Sequence, residues 1–469
     1  MPRGISVSAD LRQLLYNAKY SDISVVCSDG ELPAIRSILA ARSEVLDNQL
    51  YSSSTTTSTI SFPDIKISAM KAILEFLYTG AIGDNVLTID NAIETYHAAD
   101  CFQLTPLKDD IVLYVRETLK DSHIDLAAKL LSEAAEKMQS RIDNPLFKLL
   151  SKRVAATPLH SIRYDRLNSE ALQVLLSQTL NKKDEFFATP EYGVVRYVVL
   201  WSANTVSPKA LKFYDTHLPT TESIERSIPK EALSEAALSD PGYTDSKDQM
   251  TKLITPIAKN IDLSLLHPDV IANIIEPLDI FPARKLLEAY RFHSTNKIFS
   301  NDRRGLPPFR WDRSFCGNGL VLSDQGTVVS APPTVTLHQS VRAVNCFSSP
   351  RVYEWDVVIE ETCGWAWVGI VDSNEEQIDY QIFLGGQNGA WILGSNGSSY
   401  HEKLTKQHVV PSFESNGTTV TVHLDLRRKT MAFSIDGTKH PEAFTNLPDK
   451  VHPAVSLVGS GRFKILPHM

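Results

Sequence analysis

Cysteine is scarce in this chain and nowhere clustered. Its 469 residues hold five, Cys27, Cys101, Cys316, Cys346 and Cys363, with no C-x-x-C among them. An odd, scattered set excludes a disulfide framework, and the lack of grouped Cys and His excludes a zinc-dependent ligase site. The histidines are equally dispersed, and His401 and His408 are too loosely placed to argue for a metal. No apolar run approaches the roughly 20 residues of a membrane helix. Neither G-x-S-x-G nor H-E-x-x-H occurs, and Gly317-Asn-Gly319 and Gly459-Ser-Gly461 are turn fragments that never complete G-x-G-x-x-G. The expectation is therefore no enzyme, no cofactor and no metal. A basic excess is also missing: 47 Lys+Arg against 55 Asp+Glu gives −8, which argues against nucleic acid as a partner. The first residues lack the apolar core of a signal peptide. Free thiols and no membrane segment point to a cytoplasmic or nuclear protein.

What is present is unevenly distributed. Fifteen of the 21 Gly and five of the six Trp lie after residue 300. Tight turns use Gly and pleated faces carry aromatics, so an all-β domain is expected there and an α-rich region before it. Residues 301–308 are polar, then Pro-rich, and read as a linker. The chain as a whole reads as multidomain α+β: an α/β domain over 10–120, an all-α region over 121–300 and an all-β sandwich over 301–469. Within the middle, residues 204–250 carry Pro208, Pro219, Pro229, Pro241 and many Ser, Thr, Asp and Glu. That composition predicts an irregular insertion.

In the first domain, Asp22-Ile-Ser-Val-Val-Cys27 reads as a strand, Ser28-Asp-Gly30 as a turn and residues 32–35 as the return of a hairpin. Residues 38–50 have helical spacing, and 60–62 look like a further strand. Residues 67–78 form an amphipathic helix with Ile67, Met70, Ile73, Leu74 and Leu77 on one face, stopped by Gly80. The Ser/Thr run over 52–59 buries little and reads as a mobile loop.

Four blocks in register carry a resemblance: Tyr20-Ser-Asp-Ile-Ser-Val-Val, Leu32-Pro-Ala-Ile-Arg-Ser-Ile-Leu-Ala-Ala-Arg-Ser43, Ala72-Ile-Leu-Glu-Phe-Leu-Tyr-Thr-Gly80 and Ala98-Ala-Asp-Cys-Phe-Gln-Leu104. Together they resemble the BTB/POZ domain. The resemblance implies a homodimer whose interface holds the first helix, here with Leu11, Leu14, Leu15 and Ala18 on one stripe. It also places the family's charged pair on Asp22 and Arg36. Ile35 stands where the family usually has His. The resemblance implies a cullin-3 docking surface near Leu50 and Tyr51. There the family often has a hydrophobic-x-acidic motif, and this chain has an uncharged Ser/Thr run that cannot make a carboxylate's charge-assisted bonds.

The blocks at 164–177 and 192–202, with a second helical stretch over 261–293, resemble the BACK region. Ser161 and Asn168 are candidate helix caps there, and Val194, Val195, Val198 and Trp201 share one helical face. In the last domain, Val352-Tyr-Glu-Trp-Asp-Val-Val-Ile359 and Trp365-Ala-Trp-Val-Gly-Ile-Val371 alternate at period two. Thr418-Thr-Val-Thr-Val-His-Leu-Asp-Leu426 and Thr430-Met-Ala-Phe-Ser-Ile435 read as a hairpin. With Ala390-Trp-Ile-Leu, Asp436-Gly437 and Val451-His-Pro-Ala-Val-Ser-Leu, they resemble the SPRY domain over 307–467. The resemblance implies a peptide pocket at Tyr380, Phe383, Val458 and Gly459, behind the polar loop 372–379. Trp355, Trp365, Trp367 and Trp391 fall in strand patterns and read as structural.

The order of these three parts implies a substrate-recruiting adaptor of a cullin-3 ubiquitin ligase. Its partners would be a second copy of itself, cullin-3 and an unidentified protein target. A cullin-independent dimeric scaffold for signalling or transcriptional regulation is the alternative.

Overall fold

The computed structural model describes residues 4, 6–51, 58–83, 85–120, 124–138, 143–180, 186–295, 304–305, 309–348, 350–374, 378–402 and 404–468. Residues 52–57 of the expected Ser/Thr loop, most of the linker and the centre of the 372–379 loop lie outside those residues, while Thr59 at the loop's end begins a strand. The chain divides into two compact units, residues 1–180 with 191–302, and residues 181–190 with 303–469.

The first unit opens with α1 (Val7–Arg12) and a small sheet of β1 (Ile23–Cys27), β2 (Gly30–Ala34) and β3 (Thr59–Phe62). β1 lies in the middle, antiparallel to β2 and parallel to β3, with Val25 opposite both Leu32 and Ile60. Ile23, Val25 and Cys27 alternate inward, as the apolar period of two requires. The helix expected over 38–50 is two helices, α2 (Arg36–Arg42) and α3 (Glu44–Tyr51). Ser43 breaks it. Its backbone is extended, its Oγ accepts the Leu46 N–H at 3.3 Å, and the same hydroxyl donates to the Phe102 carbonyl at 2.9 Å. A serine that caps the next turn ends the previous one. α4 (Ile67–Thr79) is buried on nearly every side from Ala69 to Tyr78, and Gly80 ends it at φ +81°. A side chain there would be strained, which is why glycine stops this helix.

α5 (Ala92–Cys101), α6 (Thr105–Lys120), α7 (Ile124–Lys137) and α8 (Pro145–Ala155) continue the unit. Then come α9 (Ser169–Thr179) and α10 (Glu191–Val206). Asn168 caps α9 by accepting the Ala171 N–H at 2.8 Å. Ser161 caps nothing; its hydroxyl donates to the Pro158 carbonyl within a single helical turn. Val194, Val195, Val198 and Trp201 are buried on α10, and the Trp201 indole donates to the Leu167 carbonyl at 2.7 Å.

Residues 204–250 correct the expectation of an irregular insertion. They form α11 (Pro208–His217), α12 (Thr221–Arg226), α13 (Glu235–Leu238), α14 (Pro241–Thr244) and the start of α15 (Lys247–Ala258). The polar residues that suggested disorder are the caps. Ser207, Thr220, Ser234 and Asp240 each accept a backbone N–H from the first turn they precede. Pro208 and Pro241 occupy first-turn positions, where a missing N–H costs nothing. Phe213, Tyr214 and Tyr243 are buried together and anchor the segment. A last helix, Ala283–Thr295, closes the unit.

The second unit is a sandwich of β4 (Trp311–Cys316), β5 (Val321–Ser323), β6 (Val328–Ala331), β7 (Gln339–Ala343), β8 (Val352–Glu361), β9 (Trp365–Asp372), β10 (Ala390–Gly394), β11 (Ser399–His401), β12 (Leu404–Lys406), β13 (Thr419–Asp425), β14 (Thr430–Ile435), β15 (Thr438–Lys439), β16 (Val451–Val458) and β17 (Gly461–Pro467). Among the described residues one sheet runs β12-β11-β10-β9-β16-β7-β4 and the other β15-β14-β13-β8-β17-β6-β5. Inward-facing residues of both sheets, Trp355, Val357, Val368, Ile370, Val422, Phe433, Val455 and Phe463 among them, fill the core between them. This is the layering that alternation at period two imposes on antiparallel sheets. Phe186, from the segment between α9 and α10, also reaches this core: its ring lies 4.7 Å from that of Phe309.

A candidate protein-interaction face on the sandwich

The two outer faces of the sandwich differ in chemistry. On the β8/β13 sheet the outward residues are polar and bonded to one another. His423 bridges Glu354, 2.6 Å from Nδ1, and Ser434, 2.6 Å from Nε2. Asp356 accepts from Thr421 and His468 at 2.7 and 2.9 Å, and Arg462 spans Glu360 and Asp324 at 2.6 and 2.7 Å. A face whose donors and acceptors are already matched offers a partner little.

On the β9/β16 sheet the outward residues mix aromatic and apolar side chains on β9 with Ser456 and His452 on β16 and Ser340 and Arg342 on β7, Ser340 and Ser456 being bonded to each other at 2.9 Å. Ala366, Val368 and Ile370 turn inward, so Trp365 and Trp367 both turn out. The segment 378–389 folds over this face and adds a second thin apolar layer with Trp367, Val371, Leu384, Ala390 and Ile392. It is pinned by its backbone. Ser340 donates its N–H to the Tyr380 carbonyl at 2.8 Å and its hydroxyl to the Ile382 carbonyl at 3.1 Å. Gln387 accepts the Asp379 N–H and donates to the Asp379 and Phe383 carbonyls. The Phe383 ring lies 4.7 Å from Trp367, 4.8 Å from His338 and 5.6 Å from Tyr400. Gly385 makes room for it, since a Cβ there would stand 2.7 Å from Phe383 Cζ.

Beyond this packed layer, apolar side chains remain open to solvent. Trp365 is 51% exposed, Ile382 49% and Leu337 74%. Trp365 stacks at 6.3 Å on the buried Trp367, so it is a rigid ring with one free side. Rigid exposed aromatics rimmed by polar groups are the usual anchors of a protein interface.

The sequence-predicted residues fall around this face. Phe383 and Val458 belong to its packed layer, with Val458 opposite Trp365 in the β16–β9 ladder. Gly459, at φ +83°, donates its N–H to the Val335 carbonyl and turns the chain beside them. Tyr380 lies 6.0 Å from the exposed Phe315, its hydroxyl pKa pushed up to about 12 by burial. The sequence reading missed Leu337, His338 and Ile382, which lie outside strand patterns. It also placed Trp365 with the structural tryptophans. The signal was available: with Ala366, Val368 and Ile370 taken as the inner face, alternation turns Trp365 outward.

In the first unit, Leu11, Leu14 and Leu15 are half-buried, and α1 ends at Arg12, shorter than a stripe reaching Ala18 requires. Arg12 pairs with Glu75 of α4 at 2.7 Å. Asp22 accepts the Arg36 backbone N–H at 2.7 Å, while the buried Arg36 guanidinium donates to the Leu50 carbonyl at 3.3 Å. Leu50 is 5% exposed and belongs to the core. Of the two expected docking residues only Tyr51, 54% exposed, presents its side chain to solvent. Among the described residues no group of His, Cys, Asp and Glu could hold a metal ion, and no helix is long and apolar enough to cross a membrane.

Burial depresses the pKa of His338 and of His452 in the sandwich. Their unfolded forms bind protons more readily, so their contribution is full above the unfolded pKa and is lost as pH falls through about 6.5. Glu354, held below the usual carboxylate range by His423 against the burial that raises it, acts in the same direction at lower pH. The β unit is expected to melt lower at about pH 5.5 than at about pH 7.5. Tryptophan fluorescence reads this unit, which holds five of the six Trp.

A helical unit with a small α/β head and a sandwich with one open aromatic face together define a modular protein-interaction chain. The particular modules follow from comparison with known proteins. Residues 11–119 match the family model of the BTB/POZ domain and residues 352–466 that of the SPRY domain. The chain thus carries a BTB/POZ domain and a SPRY domain, both of them protein-interaction families. BTB/POZ domain-containing protein 9 of Drosophila melanogaster is 27% identical over 200 residues, 42% of this chain and 26% of that protein. The match spans about a quarter of the relative's length. The SPRY domain of human HERC1 aligns at 17% identity and a TM-score of 0.29, over 34% of this chain and 98% of that one. The TRIM65 PSpry domain aligns at 16% and 0.27, over 34% and 92%.

Proposed function

We propose that the chain is a substrate-recruiting adaptor of a cullin-3 ubiquitin ligase, working in the cytoplasm or nucleus. The BTB domain pairs with a second copy and docks cullin-3, and the SPRY face around Trp365 holds the target. The recruited ligase supplies the chemistry; the adaptor supplies proximity. Residues 121–300 act as a BACK-like helical spacer. Dimerisation presents two target faces and raises avidity for multivalent targets. The observation that carries the reading is one chain joining a BTB domain to a SPRY domain with an open aromatic face.

Two surfaces make it testable. Leu14→Asp/Leu15→Asp is expected to turn dimer into monomer in light scattering, because each charge would have to enter an apolar interface. Tyr51→Asp is expected to abolish recovery of cullin-3 and leave targets bound, and Trp365→Ala to do the reverse. Targets recovered by the wild-type chain without cullin-3 would rule out the ligase role.

One observation favours a second reading, a cullin-independent dimeric scaffold. From Tyr51 to Phe62 the sequence contains no acidic residue. The scaffold binds the same targets without changing their turnover.

A further inference from the structure

Arg342 stands on β7 within the same outer face, in the row that continues through Ala454 and Gly369. Its guanidinium carbon lies 3.4 Å from the centre of the Phe315 ring, and Phe315 meets Tyr380 edge-on. The Tyr380 hydroxyl is close enough to the same guanidinium for its charge to pull the phenol pKa down against the burial that raises it. The planar fork is thus stacked on one aromatic ring, with a phenol nearby.

Among the described residues no ion pair engages that charge. A guanidinium carries five N–H donors and no acceptor. Arg342 Nε is shielded from water and has no hydrogen-bond partner. Among the described residues the ion pairs of the sandwich engage Arg428, Lys429 and Arg462, and none engages Arg342. Asp312 is within electrostatic reach of Tyr380 and His452, but its carboxylate accepts the Ser314 N–H at 2.9 Å and forms no ion pair with Arg342. His452 stays neutral near pH 7, since burial and Arg342 itself lower its pKa. A half-buried cation without an ion-pair partner, on a face that also exposes large apolar side chains, favours an anion that arrives with an apolar ligand.

We propose that Arg342, seated on Phe315 with Tyr380 nearby, receives the side-chain carboxylate of an Asp or Glu in the peptide that docks on this face. Exposed apolar residues lie to both sides along the chain, Leu337 before β7 and Val344 after it. The bound peptide therefore continues in both directions past Arg342, which calls for an internal acidic side chain rather than a chain terminus. The inference rests on the SPRY face being the target site, and it specifies what that target must contain.

The test uses the full chain on an array of short peptides with randomised flanks and a fixed central Glu, Gln or Lys, each with a free or an amidated C-terminus. The wild type is expected to retain Glu-centred peptides about tenfold or more over Gln-centred ones, amidated or not. Arg342→Gln abolishes that preference and keeps the weaker Gln-centred binding. Arg342→Lys keeps part of it, because the charge remains and the fork is lost. Salt at about 1 M shrinks the wild-type preference, a readout that needs no variant. The proposal is overturned by an Arg342→Gln chain that still prefers Glu, or by a preference that needs the free C-terminus. If Arg342→Gln changes nothing while Trp365→Ala abolishes all retention, the docking face stands and only this inference falls. If no peptide is retained, or Trp365→Ala behaves as wild type, the docking face itself is wrong.

Discussion

Phe187→Ala is expected to lower the melting temperature of the β unit by about 6–12 °C, without a matching loss in the helical unit. Residues 181–190 belong with the sandwich although they lie between α9 and α10 in sequence. Phe187 is 4% exposed, and the buried Arg304 guanidinium lies 5.6 Å from its ring centre. The Phe186 ring lies tilted 4.7 Å from that of Phe309, itself 6.1 Å from Trp355 in the core. Truncating a buried phenylalanine costs about 3 kcal/mol. Removing both approaches the roughly 5–15 kcal/mol that holds a domain together. A fragment beginning near residue 303 is therefore expected to be unfolded or aggregated, since it would leave Phe309 uncovered. Tryptophan fluorescence during heating checks the substitution. A Phe187→Ala chain that melts within about 2 °C of wild type would show that the strap is dispensable.

Trp365→Ala and Trp367→Ala are expected to separate binding from stability. The two side chains point the same way from β9 and stack on each other, yet one is half-exposed and the other enclosed by Phe383, His338 and Tyr400. Trp367→Ala opens a cavity in the outer layer and costs about 3–5 kcal/mol of stability. Trp365→Ala removes a surface anchor. It should change stability by less than about 1 kcal/mol and weaken target binding by about 2 kcal/mol or more. Equal melting temperatures for the two variants, or target binding unchanged in Trp365→Ala, would mean that this face is only a sheet cover.

Much of this was legible in the sequence because it follows from periodicity. β1, α4 and the long strands β8, β9 and β13 announce themselves by alternation or helical spacing. What failed had local causes. Ser43 sits in a helical pattern and ends a helix, because its hydroxyl serves the next one. Ser207, Thr220, Ser234 and Asp240 look like a disordered tract until each is seen to cap a turn. The segment 181–190 opens with a polar run, Asn-Lys-Lys-Asp-Glu, and nothing in it says that Phe186 packs against the core of a sandwich beginning more than a hundred residues later or that Phe187 is buried. Leu50 looked like docking surface and is core, because the amphipathic face of α3 turns it inward. Arg342 carried no signal: its meaning depends on Phe315 and Tyr380, which are distant in sequence and meet only across the sheet.

The central claim is that one chain joins a cullin-docking dimer to a target-binding face. Light scattering of the purified full chain mixed with purified cullin-3 tests it most directly. The account predicts a complex of two chains with two cullin-3 molecules at about 1 μM, lost in Tyr51→Asp and unchanged in Trp365→Ala. A dimer that elutes free of cullin-3 at about 50 μM would contradict it, and would leave the chain as a scaffold whose Ser/Thr run replaced the acidic contact.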